Sequence, residues 1–161
     1  MNFFKLIVIL LILIAFNGCS STLKKPETET FFLVINHTAN TIDKNPKQLA
    51  IHLKRLTTYE LQLKGLMFQS KLHANTGVLL EYQSEAARGI WMKNMLIPID
   101  VIFLNKTGRI TRLIENLQPC NLNQPCLIYS ANQTQFIIEL PSGFIKHNKV
   151  KIHNTVLRLV H

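Results

Sequence analysis

Ile99-Asp100-Val101-Ile102-Phe103-Leu104, followed by Asn105-Lys106-Thr107-Gly108 and then Arg109-Ile110-Thr111-Arg112-Leu113-Ile114, is the stretch that decides the fold. Its first six residues are apolar except for Asp100 and dense in β-branched side chains, which predicts a strand. Lys106-Thr107-Gly108 has the composition of a turn, and beyond it charged and apolar residues alternate. The two runs and the turn between them predict a β-hairpin.

Toward the amino terminus the same reading predicts strands at Gly77 to Tyr82 and Gly89 to Met92, and two more at Phe31 to Ile35 and Leu49 to Leu53. Between these sets, Leu61, Leu63, Leu66 and Met67 recur at helical spacing behind Thr57 and Thr58, both competent N-caps. Glu60, three residues after Thr57, makes a capping box the natural start of a short helix over Thr57 to Phe68. Toward the carboxyl terminus, Leu127 to Tyr129, Gln135 to Leu140, Lys149 to Ile152 and Val156 to Val160 read as strands, and Pro141-Ser142-Gly143 opens a helical turn or loop. Seven or more short strands with an early helix predict a mainly β fold, a sandwich or a barrel.

Met1 to Lys5 carries one positive charge, and an unbroken apolar run follows from Leu6 to Phe16. Such a run is about half the length that crosses a bilayer as a helix, so a cleaved signal peptide over residues 1–18 is the expectation. Phe16-Asn17-Gly18-Cys19-Ser20-Ser21 resembles a lipobox, although Phe16 and Asn17 depart from its usual residues. The resemblance implies lipidation of Cys19 as the new amino terminus. Membrane anchoring on the periplasmic side of a bacterial envelope would follow, with Ser20 favouring the outer membrane over the inner. An ordinary secretory signal, leaving a soluble periplasmic or secreted protein, stays open. Residues 19–30 are polar, contain Pro26 and have no apolar periodicity, which reads as a tether; residues 31–161 then form a single domain.

The chain is basic, with a formal net charge of +9 from 18 Lys and Arg against 9 Asp and Glu. No run of basic residues exceeds two, however, which argues against nucleic-acid binding and for solubility or attraction to anionic headgroups and cell-wall polymers. Cys120 and Cys126 lie close enough in sequence to close a small loop. In an oxidising compartment that favours a disulfide over two free thiols, and a metal pair over neither.

Three segments carry a family resemblance: Leu63-Lys64-Gly65-Leu66-Met67, then Gly89-Ile90-Trp91-Met92-Lys93-Asn94 running through Pro98-Ile99-Asp100 to Phe103, then Tyr129-Ser130 with Glu139-Leu140-Pro141-Ser142-Gly143. Over about residues 49–152 the chain resembles the family called domain of unknown function 192. The resemblance implies a jelly-roll-like sandwich or partly open barrel with one or two short helices, and no established activity. The chain departs from the pattern at Gln69 and Ser70, where an Arg is common, and at His153-Asn154, where Gly-Asp is expected.

Alternation along a strand puts Trp91 and Lys93 on one face and Met92 and Asn94 on the other. Trp91 and Lys93 could then wall a site for an anionic or sugar-like ligand, with Asn94 and Asp100 close by. The plainer alternative makes Trp91 and Met92 core, Asn94 a turn residue before Pro98, and Lys93 solvated or paired with Asp100. Glu81, Asp100 and Glu139 are the acids of interest, since two carboxyls sharing a cleft could divide acid and base work, whereas a structural salt bridge is the commoner fate. Met67, Met92 and Met95 could offer thioethers to Cu(I), but core packing explains them more cheaply. His37, His52, His73, His147, His153 and His161 are dispersed, and Ser130 and Ser142 lack a nucleophile elbow, so neither a metal, a cofactor nor a serine-nucleophile site is expected.

The expectation is therefore a lipid-anchored binding or accessory domain of the envelope, its partner a small molecule, a cell-wall component or another envelope protein, with Trp91, Lys93, Asn94, Asp100 and Glu139 as candidate ligand contacts. The alternative is a small hydrolase or transferase acting on glycan material, with Lys93 stabilising charge and Asp100 or Glu139 as acid or base.

Overall fold

The computed structural model describes residues 28–35, 47–121, 123–152 and 155–159. Seven strands form one sheet: β1 (Thr28–Ile35), β2 (Lys47–Leu56), β3 (Thr76–Trp91), β4 (Ile99–Leu104), β5 (Ile110–Leu117), β6 (Ile128–Pro141) and β7 (Thr155–Leu159), in the spatial order β5-β4-β6-β3-β2-β1-β7. Two short helices accompany them, α1 (Tyr59–Lys64) and α2 (Phe144–Asn148). The sheet curls until its outer edges touch. An antiparallel bridge joins Arg109 to Val156, and the Leu157 N–H donates to the Gly108 carbonyl at 2.9 Å. Of the layouts expected, this is the partly open barrel, one continuous sheet with two short helices.

The β4–β5 hairpin forms as the sequence predicts, with β6 on the other side of β4. All six residues of β4 are buried because both of its faces are covered. Ile102 and Leu104 join Ile51, Leu53, Leu79, Ile138 and Leu140 in a core closed by Phe144 and Ile145 of α2. Ile99, Val101 and Phe103 point the other way, to a second core with Val78, Leu80 and Ile137, covered by Leu66, Met92 and Met95.

β2 and β3 are parallel neighbours, so the chain must cross over between them. The crossover contains α1. Its N-cap is Thr58, whose hydroxyl accepts from the Leu61 N–H at 3.4 Å, in place of the expected Thr57–Glu60 box. The Gln62 amide donates to the carbonyls of Leu56 and Glu81, tying the helix to β2 and β3. The helix ends at Lys64, short of Phe68, because Gly65 adopts φ 45°, ψ −125° and turns the chain down toward the sheet.

Three further expectations are corrected. The two strands predicted at Gly77 and Gly89 are one long strand, β3, which continues through register shifts around Ala86; the segments at Leu127 and Gln135 likewise merge into β6. β1 begins at Thr28, within the last residues read as tether, where pairing with β2 satisfies its backbone. Lys149 to Ile152 is not a strand among the described residues. The Lys149 and Val150 N–H groups are used instead to close the end of α2, on the carbonyls of Lys146 and Ile145, and Val150 is buried.

Candidate functional site

β3 and β6 are alternately barrel and ribbon. Their inner halves pair within the core, and their outer halves, Ala86–Trp91 against Ile128–Thr134, pair with each other as a two-stranded ribbon, with Ile90 still buried in the second core. α1 and the Gly65–Met67 segment lie beside that ribbon, leaving a cleft of about 370 Å³ between them. A volume in this range suits a small-molecule ligand. Tyr59 and Gln62 come from α1, Tyr82, Arg88 and Trp91 from β3, and Glu139 from β6.

Glu139 is 5% exposed, in a strand whose alternate residues Ile138 and Leu140 face the barrel interior. Its side chain therefore faces the cleft side, where its carboxyl takes the Leu66 backbone N–H, while Oε2 has no hydrogen-bond partner among the described residues. Burial pushes this carboxyl up to about 7, with the Leu66 N–H opposing the rise. Gly65 rests directly on it: a Cβ there would stand 2.9 Å from Oε2 and 3.2 Å from Oε1. The absence of a side chain is what allows the backbone to approach the acid, and the positive φ adds a second reason for glycine.

Arg88 stacks over the Tyr82 ring, its guanidinium carbon 4.4 Å from the centroid. Its Nη2 donates to the Ser84 carbonyl at 3.3 Å, and its Nε is buried with no partner among the described residues. Burial raises the Tyr82 phenol, an effect that Arg88 opposes and Glu139 reinforces. Trp91 is 38% exposed at the mouth. Near neutral pH a carboxyl poised at about 7 can either donate or accept a proton or hydrogen bond, and the cleft has both an unpaired acceptor and an unpaired donor.

The fold brings together two of the five residues singled out from sequence, Trp91 and Glu139. Lys93 does share a face with Trp91, its Nζ 5.2 Å from the ring centroid, but it is not part of the cleft lining. Asn94 is exposed in the left-handed region, φ 57°, where its carbonyl accepts from the Phe68 N–H and its amide lies 3.8 Å from the Met67 sulfur, so it serves the turn. Asp100 is fully buried, with Oδ1 accepting from the Asn116 N–H and Oδ2 from the Ile145 N–H, each at 2.8 Å. It caps α2, whose own N-cap, Gly143, has no side chain to do so.

Asp100 pairs with Leu140 and Val101 with Glu139, so the two acids stand on opposite faces of the sheet and do not share a cleft. Glu81 is bound by Arg55, whose Nε donates to Oε2 at 2.8 Å. Met67 and Met95 line the cleft and Met92 is core. Among the described residues there is no cluster of three or more His, Cys, Asp or Glu side chains that could hold a metal. Cys120 and Cys126 are joined in a disulfide, Cα–Cα 5.5 Å. Cys19 and the signal segment lie outside the described residues.

Sequence reasoning missed Arg88 and Tyr82. Their partner signal was present in Gly65 and Glu139, which stood in two separately noted segments, but nothing in a linear chain says that those segments touch.

The family model for domain of unknown function 192 (DUF192), described as an uncharacterized ACR, matches residues 40–157. The fold is similar to that of a Sinorhizobium meliloti protein described as a candidate transcription regulator, with a TM-score of 0.72 at 19% identity over 83% of this chain and 95% of that one. It is similar also to a Novosphingobium aromaticivorans protein of unknown function, with a TM-score of 0.64 at 21% identity over 79% of this chain and 83% of the other. At these identities the likeness is one of fold. No curated protein matches the sequence.

Proposed function

The chain belongs to the uncharacterised DUF192 family, and from that premise we propose that it is a small ligand-binding domain of the bacterial cell envelope, exported by its amino-terminal signal and held by lipid at Cys19. Its ligand sits in the cleft of Glu139, a compound about the size of a sugar ring or a dipeptide, uncharged or zwitterionic. One observation carries the reading. Glu139 is a buried carboxyl with an oxygen that has no partner among the described residues, in a cleft that also holds an Arg88 Nε without a partner among them. Unpaired buried polar atoms are costly, and two of opposite kind in one cleft fit a ligand that offers a donor to one and an acceptor to the other. Arg88 and Lys64 against a single carboxyl disfavour a simple cation.

Trp91 is the only tryptophan in the chain, so its fluorescence reports on the cleft directly. Titration with N-acetylglucosamine, its peptide-bearing cell-wall fragments and a set of dipeptides is expected to give a saturable change with at least one of them, abolished by Arg88→Ala and weakened about tenfold or more by Glu139→Ala. Flat titrations throughout, with no density in the cleft of crystals soaked with the same compounds, would remove the proposal. Export and lipidation are tested apart from ligand binding, by palmitate labelling of the chain in cells and its loss in Cys19→Ser.

The paired-carboxyl hydrolase is not adopted, because its second acid, Asp100, is on the far side of the sheet and already occupied by two backbone N–H groups.

A further inference from the structure

Half of the eight large apolar side chains that the described residues leave exposed, Tyr59, Leu63, Trp91 and Ile128, border the cleft. Tyr59 on α1, Trp91 at the end of β3 and Ile128 at the start of β6 all border the cleft mouth, and Trp91 and Ile128 are direct register partners. Leu127 adjoins Ile128 in the chain. Phe68, through its N–H to the Asn94 carbonyl, is held against the loop that carries Leu96. With Leu63 of α1, which also borders the cleft, these seven are between 38% and 71% exposed, and Ile152 is the one other large apolar residue of comparable exposure among the described residues. An exposed apolar rim around a cleft on a small domain marks an interaction surface.

Its charge says what kind. Lys64 and Arg88 border the same cleft, and Lys93 stands over Trp91. Glu60 on α1 is the exposed acid nearest in the chain to this rim, and Glu139 is buried beneath it. Aromatic rings with an amphipathic character, aliphatic side chains and lysines around them are the composition of segments that settle at the boundary of headgroups and acyl chains. We propose that this face docks on the surface of an anionic phospholipid bilayer, with Trp91, Leu127 and Ile128 entering the headgroup boundary and Lys64 and Lys93 meeting lipid phosphates, so that the cleft opens toward the membrane. The inference stands on surface residues and does not depend on which ligand occupies the cleft.

The test uses the full chain mixed with vesicles of phosphatidylglycerol and phosphatidylcholine that carry bromine at defined acyl-chain depths. Bromine quenches a tryptophan that enters the bilayer, and a domain that is merely tethered nearby leaves Trp91 in water. The expected result is a blue shift of Trp91 emission with strongest quenching by the shallow bromines, and a several-fold smaller effect in pure phosphatidylcholine or at high salt. Leu127→Asp with Ile128→Asp, at positions exposed enough to leave folding intact by circular dichroism, is expected to remove the quenching in the vesicle-bound fraction. Lys64→Gln with Lys93→Gln is expected to lower only the preference for phosphatidylglycerol. Unquenched Trp91 in phosphatidylglycerol vesicles overturns the proposal, as does a concentration-dependent dimer in which the same double Asp variant is monomeric, since the face would then belong to a second copy.

Discussion

Glu139→Gln is expected to stabilise this protein at neutral and alkaline pH and to do little in acid. Burial holds the folded carboxyl at about 7, against an ordinary 4.5. Between those values the folded state binds a proton that the unfolded chain releases, so stability must fall as pH rises. The contribution is fully present below about 4.5, is lost progressively up to about 7, and is constant above that. At about 1.4 kcal/mol for each tenfold step, the interval amounts to about 3 kcal/mol between pH 4 and pH 8. Glutamine resembles the protonated acid in shape, keeps an acceptor for the Leu66 N–H and cannot ionise. The wild type should therefore lose up to about 3 kcal/mol across this range more than the variant does, with the variant melting up to about 10 °C higher at pH 8. Urea unfolding of both proteins at pH 4, 6 and 8, followed by circular dichroism, measures it. Parallel pH profiles for the two, or a variant that is less stable than wild type at pH 8, would refute the assignment of a desolvated, poorly partnered carboxyl.

Asp100→Asn keeps one acceptor oxygen but turns an amide NH₂ toward a second backbone N–H, leaving either Asn116 or Ile145 without its partner. A loss of about 3 kcal/mol is expected from the urea midpoint, with Trp91 emission in the folded state unchanged because Asp100 is on the other face; a loss under about 1 kcal/mol would mean that Asp100 does not cap α2. Gly65→Ala is expected to cost about 2 to 3 kcal/mol in thermal unfolding, from a backbone conformation that side chains resist and from contact with the Glu139 carboxyl. Adding Glu139→Ala should recover the contact part and not the backbone part; full recovery would show that the φ of Gly65 is not strained for alanine.

What the sequence by itself determined was local. The hairpin around Lys106-Thr107-Gly108, the strand character of the apolar runs, the mainly β class and the spacing of Cys120 and Cys126 follow from side-chain periodicity and turn chemistry, which act over a few residues. Trp91 and Lys93 were placed on a common face by the same two-residue period. Where two strand-like segments were joined by a polar but still extended stretch, as in β3 and β6, periodicity marked the apolar ends and missed the continuity, because the chain runs on through register shifts that leave no apolar alternation in the middle. Only the tertiary structure decided which face each acid takes. Asp100 and Glu139 are both carboxylates in apolar strands, indistinguishable by composition, yet the register that sets Asp100 opposite Leu140 sends one to the backbone of α2 and the other beneath Gly65. A one-residue change of register would exchange those fates, and register is settled by the whole sheet closing around its two cores.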